Sequence, residues 1–292
     1  MPSYPSNDDR VTGVRKDHAS VVCSNHMRAV LLLGVMLASI GAAGPQDELV
    51  RARQLYNQQL YNLAIDSANT ARHTPQLADA ATLVIARSLL ERFRKEAAAA
   101  DLDAARTELQ QIRPAGLSPS DQAELIIALG ELLYLDDQPG AAAVEFERAL
   151  DRVESASASH ERVLDWWASA VDRQAQMRPE AERAPLYSRI IARMEDELRR
   201  NAASAVASYW LVAGARGSGD LDRAWDAAFA AWARAPLTGD GRTQLRADLE
   251  QIVTQAIIPE RARLIAPAGG AAQTVAAIRA EWTALKQAWG EP

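Results

Sequence analysis

Apolar residues recur at helical spacing along most of the chain, in segments of roughly one to two dozen residues, and no stretch shows sustained strand alternation. From residue 45 onward the pattern predicts helices over 47–58, 62–73, 77–99, 101–112, 123–135, 141–152, 159–176, 186–201, 205–216, 221–234, 243–257 and 272–289. The breaks are chemical. Thr74-Pro75, Arg113-Pro114-Ala115-Gly116, the run from Asp136 to Gly140, Pro179 and Gly217-Ser218-Gly219-Asp220 interrupt the periodicity, as do Pro259, Pro267 and Gly269-Gly270. Proline removes a backbone donor, and glycine frees the chain to turn. Ser118-Pro119 reads as a helix start, a hydroxyl cap followed by proline at the first helical position.

The first 44 residues differ. Residues 1–26 are polar, lack an apolar period and are expected to be disordered. From Met27-Arg28 the chain is uncharged until Asp47. Its apolar core has the length of a signal-peptide segment and falls short of the roughly 20 residues a membrane span needs. Small residues Gly41, Ala42 and Ala43 follow. The expectation is a secretory signal over 27–43, cleaved after Ala43, with translation starting at Met27; the competing reading is a buried Ala/Leu helix on the body. Cys23 precedes the apolar run, where a lipoprotein cysteine could not be, so no lipid anchor is expected. The protein is then secreted or periplasmic, with no stable membrane span after cleavage.

Composition agrees with the helical pattern. Alanine makes up roughly a fifth of the chain, and it loses no side-chain entropy in a helix, so the expected class is all-α. One cysteine in 292 residues excludes an internal disulfide framework and a cysteine-based zinc site. The balance of 32 basic against 38 acidic residues gives net -6, which argues against a general nucleic-acid binder. Without Arg10, Arg15, Lys16 and Arg28 on one side and Asp8, Asp9 and Asp17 on the other, the body holds 28 basic and 35 acidic residues, net -7, and no cysteine. That suits an oxidising compartment. Lysine occurs only at Lys16, Lys95 and Lys286; arginine over lysine with abundant alanine reads as GC-rich coding.

Successive helix pairs at this spacing signal an α-solenoid, because one pair cannot bury both of its apolar faces and must stack on its neighbours. The segment from Ile126 to Leu133, followed by Ala142-Ala143-Val144-Glu145-Phe146-Glu147-Arg148-Ala149-Leu150, resembles a tetratricopeptide repeat (TPR). Leu129, Gly130, Ala142, Phe146 and Ala149 match the family pattern; its terminal proline is missing. A second match holds Gly219-Asp220, Ala224, Ala228, Ala231 and Pro236, with Gly214 out of register. Weaker copies centre on Ala64/Ala68/Ala71 with Pro75 and on Ala105/Leu109/Ile112 with Pro114. Anchor spacings are 41 from Ala64 to Ala105, 37 to Ala142 and 82 to Ala224, the last spanning a degenerate pair over 159–201. The resemblance covers roughly 45–238 and implies about five antiparallel pairs, closed by capping helices over 239–292.

Catalytic chemistry is not advertised. His160-Glu161 lacks the second histidine of a zincin helix and is expected at a surface helix start. His73 reads as a cation at a helix end, and His18 and His26 fall in the leader. No nucleophile elbow, P-loop or dinucleotide fingerprint is present. Asp136-Asp137 reads as a loop, and Glu195-Asp196-Glu197 beside Arg199-Arg200 as a solvated helix face. No metal site and no cofactor are expected. Seven tryptophans, from Trp166-Trp167 to Trp289, all lie in the second half and are expected to pack between pairs; the alternative is an exposed partner surface.

The resemblance implies binding of a protein or peptide partner in a concave groove lined by the first helix of each pair. In the family register the groove positions are Arg53 and Tyr56 in the first unit, Arg87 in the second, Tyr134 in the third, and Tyr209 and Arg216 in the fifth. The expected function is therefore an exported, non-enzymatic TPR-like scaffold. A structural accessory of a cell-envelope complex is the alternative, and an enzyme with an unrecognised site the third possibility.

Overall fold

A computed structural model describes residues 44–267 and 270–290. The expected signal over 27–43 lies outside them. The helices are α1 (Pro45–Asn57), α2 (Tyr61–Ala71), α3 (Ala78–Glu96), α4 (Ala99–Gln111), α5 (Pro119–Leu135), α6 (Pro139–Leu150) and α7 (Ala158–Gln176). They continue as α8 (Ala184–Arg200), α9 (Ala205–Gly217), α10 (Leu221–Arg234), α11 (Arg242–Ile252), α12 (Ile258–Ile265) and α13 (Ala271–Ala288). Among the described residues there is no strand, and the helices pack as adjacent pairs. Each expected helix is present, and the start at Ser118 is as expected: its hydroxyl accepts the Asp121 N–H at 3.1 Å. Ser157, Ser204 and Asp220 cap α7, α9 and α10 in the same way, satisfying an N–H that the first helical turn leaves unpaired.

The chain forms two compact units, one ending at Leu117 and one beginning at Ser118. In the first, α1–α2 and α3–α4 are adjacent pairs, α2 packs on α3, and α1 also touches α3. In the second, α5 pairs with α6, α6 with α7, α8 with α9 and α9 with α10, while α7 touches both α5 and α9, and α9 touches α11. Helices two apart thus meet mostly on the odd-numbered side, with α10 and α12 as an even pair that also touches, whereas α2 and α4, or α6 and α8, touch little or not at all. The degenerate pair is the exception to simple pairing: α7 packs more extensively on α6, and α8 on α9, than they do on each other.

A turn recurs between odd and even helices. Gln59 (φ 61°), Asp137 (φ 58°) and Gly219 (φ 83°) are all left-handed. In each case that residue's N–H bonds the carbonyl three back (Tyr56, Tyr134, Arg216), and the next N–H bonds the carbonyl five back (Leu55, Leu133, Ala215). This is a Schellman closure, repeated three times. Ala97 (φ 53°) closes α3 with a left-handed residue as well. The positions 59, 97, 137 and 219 step by 38, 40 and 82 residues, the same beat as the alanine anchors. The α7–α8 connection lacks the turn and carries Pro179 and a short 3₁₀ segment instead.

Pro259 does not separate two elements as its sequence position suggests. Residues Val253–Ile257 form a π-turn in which the Ile258 N–H reaches the Val253 carbonyl, and Pro259 falls in the first turn of α12, where its missing donor costs least.

The core of the second unit is alanine, aliphatic and tryptophan packing, clustered over α5–α9 and again over α8–α13, with Tyr209, Leu211 and Ala213 against both clusters. Trp225, Trp232 and Trp282 meet around α10 and α13, with ring centroids 6.1 Å and 5.3 Å from Trp282. Trp167 and Trp210 are also buried; Trp289 is exposed. Small residues set the crossings: Gly214 faces Ile190 and Ile191 of α8, and Gly217 lies under the ring of Tyr187. Gly214 therefore serves the α8–α9 contact.

Candidate functional site

In the first unit, Tyr56 stands in the last turn of α1, and Arg87 approaches it from α3. The Arg87 guanidinium lies 4.5 Å from the Tyr56 ring centroid. Tyr61 of α2 stands 5.7 Å from Tyr56, and the Lys95 ammonium lies 4.7 Å from the Tyr61 ring. Two rings are thus bracketed by two cations, each held by the attraction of positive charge to an aromatic face. Lys95 also donates to Gln59 Oε1 at 3.1 Å, a neutral acceptor at the turn. Arg53 lies one turn earlier on α1 and is exposed.

The second unit repeats the arrangement. Tyr134 occupies in α5 the position that Tyr56 holds in α1, three residues before the left-handed turn residue. Arg173 of α7 lies 5.1 Å from its ring centroid, donates to the Tyr134 carbonyl at 3.4 Å and pairs with Asp137 at 2.9 Å. Trp166 meets the same ring edge-on at 5.1 Å and stacks on Phe146 at 5.6 Å. Sequence reasoning missed Arg173; the signal was its place on the next first helix, as Arg87 is to Tyr56. Tyr209 lies beside Trp210, 5.5 Å between centroids, and is half-buried. Arg216 occupies the equivalent turn position in α9, and its guanidinium is committed to Glu260 through two bonds of 2.9 Å and 2.6 Å. The expected site residues therefore fall into a cluster in the first unit (Tyr56, Arg87, with Arg53 nearby) and three stations along α5 and α9 in the second.

Burial alters two of these tyrosines. Desolvation pushes the Tyr134 phenol above its ordinary value, against the pull of Arg173 and with help from Asp172 and Asp165. Tyr187 is raised further, by desolvation first and then by Asp172, whose Oδ1 accepts its hydroxyl at 3.0 Å. A phenol with a raised folded value stabilises the fold fully below the unfolded value and loses that contribution as pH rises through the folded one. An ultraviolet phenol titration should therefore show two of the six tyrosines ionising only above pH about 10, together with unfolding. All six titrating near the free value in the folded chain would contradict this burial.

Two expectations about charged residues are corrected. His160 is at the start of α7 but is 2% exposed, and Glu197 is 4% exposed. The His160 Nε2 lies 3.1 Å from Glu197 Oε2, while Arg193 Nε donates to Glu197 Oε1 at 2.9 Å. A buried polar group must find a partner inside, and here the partner lies 37 residues away on α8. Glu195 and Asp196 do stay on the outer face, with Arg223 and Arg199.

Among the described residues, no group of three or more His, Cys, Asp or Glu side chains could hold a metal ion, and no helix is long and apolar enough to cross a membrane. An open cleft of 620 Å³ lies beside Pro139, Gly140, Gln174, Met177, Arg178 and Glu182. Its charged residues Arg178 and Glu182 face each other at 3.8 Å, so it presents no convergent acid–base pair. Protein-family models, curated proteins and solved structures provide no match to the chain.

Proposed function

We propose that the protein is an exported, non-enzymatic scaffold, a TPR-like α-solenoid that holds a protein or peptide partner against its odd-numbered helices. One observation carries this reading: the same tyrosine, three residues before the same left-handed turn, is met by an arginine from the next odd helix at Tyr56/Arg87 and at Tyr134/Arg173. Tyrosine offers large contact area with a polar tip, and arginine a rigid fork of donors, the two side chains most often found as binding anchors. Support for the solenoid comes from the contacts between helices two apart on the odd side and from the recurring turn.

Tyr56→Ala, Arg87→Ala, Tyr134→Ala and Arg173→Ala should each keep the helical circular dichroism signal. Each should lower recovery of a partner co-purified from envelope extracts by about tenfold, equivalent to the 1–2 kcal/mol typical of an anchor. Variants that melt early, or that recover the partner normally, would leave these pairs as packing alone. The export part of the proposal has its own test: N-terminal sequencing of the exported protein should begin at Gly44, and an intact Met1 or Met27 on a soluble cytoplasmic product would reject it.

A further inference from the structure

In a stacked helical array, interior pairs cover each other, so terminal pairs need polar outer faces to remain soluble alone. This chain departs from that rule at both terminal helix sets. The first pair exposes Val50 (46%), Leu60 (45%) and Leu63 (49%); the last helices expose Leu264 (72%), Ile265 (58%) and Trp289 (56%). These six account for most of the exposed large apolar side chains among the described residues. Within its unit, α1–α2 packs on α3, with Arg72 reaching Glu108 of α4, and α13 packs on α12 while Trp282 and Lys286 turn to α10 and α11. Neither apolar set is therefore covered by a further pair of its own unit.

The charges beside Leu63 and Leu264 are opposite. Asp66 lies one turn from Leu63 on the same side of α2, and Arg263 precedes Leu264 on α12. Both are exposed, and among the described residues neither has an ion-pair partner. A two-fold contact through either set would cover that set only, and would bring Asp66 toward Asp66 or Arg263 toward Arg263. A contact between the two different sets covers both at once and brings Asp66 toward Arg263. It also continues between copies the pair-on-pair stacking that already builds each unit.

We propose that the protein associates head to tail, the α1–α2 face around Leu63 of one copy packing on the α12–α13 end around Leu264 and Ile265 of a second copy. Such a contact is heterologous: each added copy brings a free head or tail, so assembly grows with concentration, as an open chain or until a ring closes.

Sedimentation equilibrium of the full chain should show mass rising with concentration beyond the dimer. Leu63→Glu and Leu264→Glu replace exposed side chains, so each should keep the parent melting curve while association weakens by about tenfold or more. The decisive arm is mixing. The first variant retains a good tail and the second a good head, so an equimolar mixture should form a 1:1 dimer and grow no further. Asp66→Arg and Arg263→Asp supply a second route free of packing changes: each alone should weaken association, and both in one chain should restore it. The proposal is overturned by a monomeric parent chain, by a Leu264→Glu protein that still dimerises through its head, or by a Leu63→Glu protein that still dimerises through its tail. Association indifferent to all four substitutions would overturn it too.

Discussion

Gly130→Leu is expected to destabilise the second unit by about 3 kcal/mol, the upper part of the usual range for overpacking a close crossing. The geometry explains why glycine sits there. A Cβ built on Gly130 would stand 2.7 Å from Phe146 Cε1 and 2.8 Å from Cδ1, inside any real carbon–carbon contact. The Phe146 ring cannot move aside cheaply: it is fully buried and stacked on Trp166 at 5.6 Å. The helix itself favours the substitution, since glycine within a helix costs about 1 kcal/mol relative to alanine. Gly130→Ala therefore sets gain against clash and should come out much milder than leucine. Shrinking the opposing ring in Gly130→Ala/Phe146→Leu should show coupling between the two sites, because they touch. Thermal melting followed by circular dichroism checks all three. A leucine variant melting with the parent would mean that α5 and α6 can separate here without penalty.

Much of the fold was legible because its signals are local. Ser118-Pro119 marked the start of α5, Asp136 to Gly140 the turn before α6, and Gly219-Asp220 the turn before α10, each within a few residues of the helices they punctuate. Gly130 and Phe146 were legible as a crossing because they lie 16 positions apart in a recognisable spacing. What stayed hidden depends on partners far along the chain. His160 meets Glu197 across 37 residues, Trp210 donates to Asp165 across 45, and Arg216 reaches Glu260 across 44. A periodicity identifies which face of a helix is apolar; it does not say which polar residue at the edge of that face will be enclosed.

The candidate site divides along the same line. Tyr56, Tyr134 and Arg216 share a turn position, and the register of the resembled repeat reached them. Arg173 was missed because α7 belongs to the degenerate stretch, where alanine anchors are weak and Pro179 replaces the left-handed turn. The commitment of Arg216 to Glu260 was hidden as well, since α12 exists as a helix across Pro259 only through the π-turn before it. Arg216, like Arg173 with Asp137, has its fork engaged within the chain, whereas Tyr56 and Tyr134 offer aromatic rings at the same turn position.

The other large effect is expected from Glu197→Ala, which should cost the second unit about 3–5 kcal/mol, the range for removing one member of a buried ion-pairing set. Glu197 serves two helices at once. Its Oε2 faces His160 Nε2 of α7 at 3.1 Å, and its Oε1 accepts Arg193 Nε at 2.9 Å and Arg200 at 3.4 Å. Without the carboxyl, Nε2 of a fully enclosed imidazole loses its acceptor or donor, while Nδ1 already makes no hydrogen bond among the described residues. The Arg193 guanidinium, 6.0 Å from the Trp167 ring centroid, would keep its place over that ring but lose its anion. Glu197→Gln preserves shape and one acceptor oxygen and should cost less. The double variant His160→Phe/Glu197→Leu removes both polar partners together and should recover a large part of the loss, because the penalty lies in leaving one of them stranded. Urea unfolding of the four proteins supplies the comparison. Hydrogen exchange should localise the damage to the first turn of α7 and the last turn of α8, where α7 and α8 share little other packing. A loss under about 1 kcal/mol for Glu197→Ala would mean that water reaches the pair, and that α7 and α8 are held instead by the Tyr187 hydroxyl on Asp172.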